Sequence, residues 1–160
     1  MSRARTALLS ALILLLLAAP AAADATLFLG VDMTPEPRKT QGFAVGAGLL
    51  LLGFEFEYAN TSEDVETGAP ALKIYSGNVL IQTPFTIFGF QPYFTTGAGG
   101  YQETLAAREH IDFGFNTGGG VKVNLFGPVR LRVDYRAFRL TDDALYPTAH
   151  RLYAGLNLKF

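Results

Sequence analysis

Two short stretches hold most of the charge that chemistry would need, and both space it at every second residue. Glu55 and Glu57 alternate with Phe54, Phe56 and Tyr58, and Arg130, Arg132, Asp134 and Arg136 alternate with Val129, Leu131, Val133 and Tyr135. Lys73, Lys122 and Arg151 are set among apolar residues in the same way. Carboxylates and guanidiniums so spaced can pair across a confined space or line an ion path. Nucleophilic catalysis has thinner material. It requires a serine beside a histidine that a carboxylate orients. Beyond residue 23 the histidines are His110 and His150 and the serines Ser62 and Ser76, and neither serine lies within two residues of a histidine. The expectation is a protein that is not an enzyme, with no cofactor and no metal, since neither histidine has a ligand-spaced partner. A formal net charge of −1 without a basic run also argues against nucleic acid as a partner.

The elements that must position these charges are β-strands. A period of two with one apolar and one polar face marks a strand, because successive side chains leave it on opposite sides. The pattern recurs over 25–33, 41–50, 54–58, 71–81, 91–102, 110–125, 129–140 and 149–160, an expected eight strands. Two prolines break the chain in 34–40, an acidic polar run fills 60–70, and 103–109 reads as a short loop with room for one helical turn. Connections expected to be short, after the second, fourth and sixth strands, alternate with mostly longer charged ones. A hairpin barrel with one tight rim and one looped rim has that asymmetry. Three places blur the facing. A bulge at 76–78 would swap the faces of the fourth strand, the glycines at 118–120 mark a bend, bulge or close approach, and the facing of 91–102 is open.

Residues 1–23 read as a cleaved signal peptide: Arg3 and Arg5, an apolar run over 7–19, then Pro20-Ala21-Ala22-Ala23. The expected domain is 24–160, an all-β, eight-stranded antiparallel up-and-down barrel. It contains no cysteine, so disulfides do not stabilise it. The charges decide which way the barrel faces. In a secreted or periplasmic soluble barrel that binds a small apolar ligand, they would lie outside and the phenylalanines inside. An eight-stranded interior is barely wide enough for its own side chains, and it would have to hold nearly every large apolar residue. The reverse arrangement puts Glu55, Glu57, Lys73, Lys122, Arg130, Arg132, Asp134, Arg136 and Arg151 in a lumen network and turns the apolar face to lipid. Closure then leaves no strand edge unpaired in the bilayer. The export leader and the final Phe160 favour this transmembrane reading. Tyr58, Tyr93, Tyr101, Tyr135 and Tyr153 are candidates for interfacial aromatic girdles, although Tyr153 sits on the polar phase of its strand, which would turn it inward.

Three stretches carry a resemblance: Gln91-Pro-Tyr-Phe-Thr-Thr-Gly-Ala-Gly-Gly-Tyr101, Phe113-Gly-Phe-Asn-Thr-Gly-Gly-Gly-Val-Lys-Val123 and Val129-Arg-Leu-Arg-Val-Asp-Tyr-Arg-Ala-Phe138. Together with the Phe-ended last strand, they make the chain resemble the small bacterial outer-membrane β-barrel family of porin-like proteins, which contains the transmembrane domain of outer-membrane protein A. The resemblance implies an outer-membrane location in a Gram-negative envelope, with lipid around the barrel. It also implies that the assembly machinery reads the last strand through Phe160, Leu158 and Leu156. It carries no catalytic motif. The expected role is envelope-structural or surface-interacting, with narrow small-solute conductance as a further possibility, and the expected state is a monomer.

Overall fold

The computed structural model describes residues 22–105, 108–141 and 144–160. Eight strands follow one another: β1 (Ala22–Asp32), β2 (Arg38–Leu49), β3 (Leu52–Thr61), β4 (Ala71–Gln82), β5 (Phe90–Leu105), β6 (Arg108–Phe126), β7 (Val129–Leu140) and β8 (Thr148–Lys159). Each pairs antiparallel with its neighbour in sequence, and β1 pairs with β8, so the sheet closes into a barrel. Of the expected leader, only Ala22 and Ala23 are described, as the start of β1; residues 1–21 lie outside the described residues.

One rim carries the links over 33–37, 62–70 and 141–147 and is the loop rim. The other carries the links over 50–51, 83–89 and 127–128 together with Asp24 and Phe160, and is the turn rim. The β4–β5 link over 83–89 is the longest on the turn rim. It holds Phe88 and Gly89 at φ of 52° and 85° and leaves Phe85, Ile87 and Phe88 exposed. On the loop rim, the expected loop over 103–109 is mostly strand. Glu103 pairs with His110 and Leu105 with Arg108, and β7 joins β6 only from Gly114 opposite Leu140. Residues 108–113 therefore rise past β7 on a long hairpin. Polarity in this stretch marks departure from the apolar belt, not the end of the ladder.

Period-two alternation sorts the residues of every strand. Leu27, Leu29, Phe54, Phe115 and Leu156 point outward, at 58–72% exposure. Glu55, Glu57, Arg132, Asp134, Arg136 and Arg151 point inward, at 0–4%. The soluble-carrier arrangement requires the opposite. Glycine lets the inward rows pack closely: a Cβ on Gly120 would stand 2.1 Å from the Val133 carbonyl oxygen and 2.6 Å from the Tyr93 hydroxyl. The Gly118–Gly120 run is thus a close approach in regular register, and the irregularity in β6 lies instead between Asn124 and Phe126.

β4 has no bulge. Its register runs unbroken from Ala71 opposite Thr104 to Gln82 opposite Tyr93, so Leu72, Ile74, Ser76, Asn78 and Leu80 all face inward. This corrects the expected position of Lys73, which is half-buried on the outer face. The pairing aligns it with Gln41, Asn60 and Gln102, one row beyond the contacting rings of Phe43, Tyr58 and Tyr75. A polar row above an aromatic row is the edge of a lipid belt, where a lysine reaches the interface. Inside at this height Leu72, Ile74, Tyr101, Phe138, Leu140, Ala144 and Ala149 join Phe28, Ala59 and Tyr153 in one buried apolar cluster, beside buried Thr40, Thr61 and Glu103. Of the girdle candidates, Tyr58 and Tyr135 face outward, whereas Tyr93, Tyr101 and Tyr153 are buried inside.

Candidate functional site

The site is the barrel interior, and its centre is a ring of ions drawn from three strands. β3 supplies Glu55 and Glu57, β7 supplies Arg132, Asp134 and Arg136, and β8 supplies Arg151. Arg132 grips both carboxylate oxygens of Glu55 and donates from Nη2 to Asp134 at 3.1 Å. Arg136 donates to Glu55 Oε1 at 2.8 Å and from Nε to Asp134 Oδ1 at 3.0 Å, and its Nη2 lies 3.2 Å from Glu57 Oε2. Arg151 takes the other oxygen of Glu57. Three carboxylates thus face three guanidiniums, and every member of this set is ion-paired. A buried charge survives only when paired, and this ring meets that condition with its charge balanced, while Arg136 Nη1 and Arg151 Nε and Nη1 are buried without a hydrogen-bond partner among the described residues.

Aromatic rings hold the ring of ions in place. Tyr93 donates its hydroxyl to Asp134 and accepts from Arg132 Nε at 2.7 Å. The Arg132 guanidinium also lies 4.8 Å from the Tyr93 ring and 5.6 Å from the Tyr153 ring. Arg151 is enclosed by Phe28, Phe138 and Tyr153 at 5.2, 4.9 and 5.4 Å, and Phe28 stacks on Tyr153 with centroids 4.0 Å apart. Toward the turn rim, Lys122 and Arg130 both reach Oδ2 of Asp24, while Arg130 also donates to Asn157 and Gln91. Toward the loop rim, the apolar cluster closes the lumen. A void among Ile74, Tyr101, Asn116 and Phe138 measures only about 10 Å³, scarcely room for one water.

The structure brings Glu55, Glu57, Lys122, Arg130, Arg132, Asp134, Arg136 and Arg151 into the interior and leaves Lys73 outside. Phe28, Asp24 and Asn157 belong to the site without having been placed there from sequence, and so do Tyr93 and Tyr153, which were expected in the girdles. The parity shared with Gln91 and Thr95 would have put Tyr93 inside. Phe28 had no such signal, since an aromatic residue on a polar face reads as noise until its arginine partner is known. At the end of β8, Leu156, Leu158 and Phe160 all face outward, and the Phe160 amide donates to the Ala23 carbonyl at 2.8 Å.

Arginine stays protonated at any physiological pH, and the ring carboxylates are committed to it, so the ring offers no free base. The histidines sit at the loop rim. His110 Nε2 is 3.8 Å from Asp112, and His150 Nδ1 is 2.9 Å from the Tyr135 hydroxyl. Neither serine hydroxyl meets a histidine among the described residues: Ser76 accepts from Asn78, and Ser62 offers its backbone carbonyl to Arg38. No group of three or more metal-ligating side chains occurs among the described residues.

No protein-family model and no curated protein matches the sequence. Solved structures do match in fold. Neisserial surface protein A superposes at a TM-score of 0.69 with 14% identity, over 88% of this chain and 97% of that one. The N-terminal β-barrel domain of Pseudomonas aeruginosa OprF gives 0.65 and 12%, over 87% and 97%. The outer-membrane enzyme PagL gives 0.54 and 10%, over 84% and 98%. Structures at such low identity share a fold and leave the activity of each to its own residues. The chain has the fold of the small bacterial outer-membrane β-barrels, apolar side out as a bilayer requires, and the outer membrane is where that fold resides.

Proposed function

We propose that this protein is a non-enzymatic, sealed barrel of the outer membrane that serves an envelope-structural or surface-interaction role. The observation that carries the reading is the closed interior: a balanced ring of three carboxylates and three guanidiniums, capped toward the loop rim by the apolar cluster around Tyr101 and Phe138. Small-solute conductance is the weaker reading, because aqueous channels belong to much larger strand numbers and here the centre is filled. That neither serine hydroxyl meets a histidine among the described residues supports a non-enzymatic role. The raised β5–β6 hairpin is the part best placed to meet a partner outside. The outward row of Leu156, Leu158 and Phe160 would serve as the assembly signal, and the barrel would work as a monomer.

Planar-bilayer recording on the refolded barrel tests the closed lumen. The expected trace shows no stable unitary steps in potassium chloride. Reproducible steps that change in size when Arg132 or Glu55 is substituted would overturn the sealed reading and favour the channel.

A further inference from the structure

The charges at the turn-rim mouth do not balance as the central ring does. Lys122 and Arg130 are both buried, at 2% and 5% exposure, and both lean on one oxygen of one carboxylate, Asp24 Oδ2, at 2.5 and 3.0 Å. The next carboxylate inward is Glu55, and it is already taken by Arg132 and Arg136. Lys159 reaches the same mouth, and its ammonium has no hydrogen bond or ion pair among the described residues, its backbone amide alone donating to the Pro128 carbonyl. These side chains line a recess of about 360 Å³ together with Asp24, Glu55, Gln82, Gln91, Leu80 and Pro84. That volume is at the small end of the range for small-molecule sites. Buried cations that share a single carboxylate lack full compensation, and an ammonium or guanidinium held in a recess is a strong donor to an oxyanion.

We propose that this recess is an oxyanion site that takes a phosphate group carried on a small organic stem. Lys122 has donors left after Asp24 is satisfied, Lys159 has all of its own, and Arg130 supplies positive charge from a fixed position, since Asn157, Gln91 and Asp24 hold its guanidinium. Lys122 and Lys159 therefore make the contacts and Arg130 supplies field. Leu80 and Pro84 give the stem an apolar wall. The same group reaches the recess either as a soluble organophosphate from the periplasmic side or as the headgroup of a phospholipid in the adjoining leaflet. The exposed Leu50, Leu51, Phe85, Phe88 and Phe160 set that leaflet close to the mouth.

The test uses the full barrel refolded in maltoside micelles, which contain no phosphate. Glycerol 3-phosphate is titrated by calorimetry with glycerol as the uncharged control, and retained phosphatidylglycerol is read by native mass spectrometry after exchange from phosphatidylglycerol nanodiscs. Saturable binding of glycerol 3-phosphate, weakened about tenfold by Lys122→Gln or Lys159→Gln, supports the site with a soluble ligand. Retention of phosphatidylglycerol that the same variants abolish supports it with a lipid ligand. Lys159→Gln lies at the exposed end of β8, so it reports even if Lys122→Gln fails to fold. Absence of both ligands, or binding that neither variant changes, overturns the proposal.

Discussion

Glu55 on β3 and Arg132 on β7 stand 77 residues apart in sequence, yet they join in a two-pronged ion pair across the centre of the barrel. Breaking a buried pair from one side leaves a charge without its partner, at about 3–5 kcal/mol. Glu55→Gln and Arg132→Met should each lower stability by roughly that amount. The double variant should fall short of the sum, because its members share partners in one network. Urea unfolding in lipid vesicles, read as the folded fraction on gels, checks this. Strict additivity would mean that the two side chains do not cooperate.

Val133 and Lys73 test the two kinds of outward position. Val133 faces lipid in mid-strand on β7, so Val133→Arg should cost about 2–4 kcal/mol and depress insertion. Lys73 sits at the edge of the belt, so Lys73→Gln should stay within about 0.5 kcal/mol. A large loss at Lys73 would return it to the interior network, contrary to its place on β4.

Glycine separates the close-packed face from the open one. A Cβ on Gly120 meets the Val133 carbonyl and the Tyr93 hydroxyl, whereas a Cβ on Gly77 meets nothing within 4 Å. Gly120→Ala should destabilise by about 1–3 kcal/mol, as overpacking does. Gly77→Ala should be close to neutral. Equal effects at the two sites would contradict the packing described for β6 and β7.

The strand order and the barrel were legible because period-two alternation persists through every strand, most cleanly in Arg130, Arg132, Asp134 and Arg136. Parity says which residues share a face. It does not say what that face meets at a given height. Near the loop rim the usual rule reverses: Leu72 and Ile74 turn into the apolar cluster, and Lys73 turns out to the interface. Sequence therefore placed Lys73 with the charges inside. The same limit hid Tyr93 and Tyr101 in a girdle that only Tyr58 and Tyr135 join, and it made a loop of the polar residues that extend the β5–β6 hairpin. Contacts between distant strands, such as Phe28 on Arg151, depend on register, which no single strand encodes.

The most direct test of a closed barrel set apolar side out in lipid is fractionation of expressing cells, followed by gel migration of the membrane fraction with and without boiling. The protein should come down with the outer membrane and run faster unboiled than boiled, as a compact barrel that detergent alone does not open. Recovery in the soluble periplasmic or secreted fraction, with no effect of heat on mobility, would contradict the account at its root.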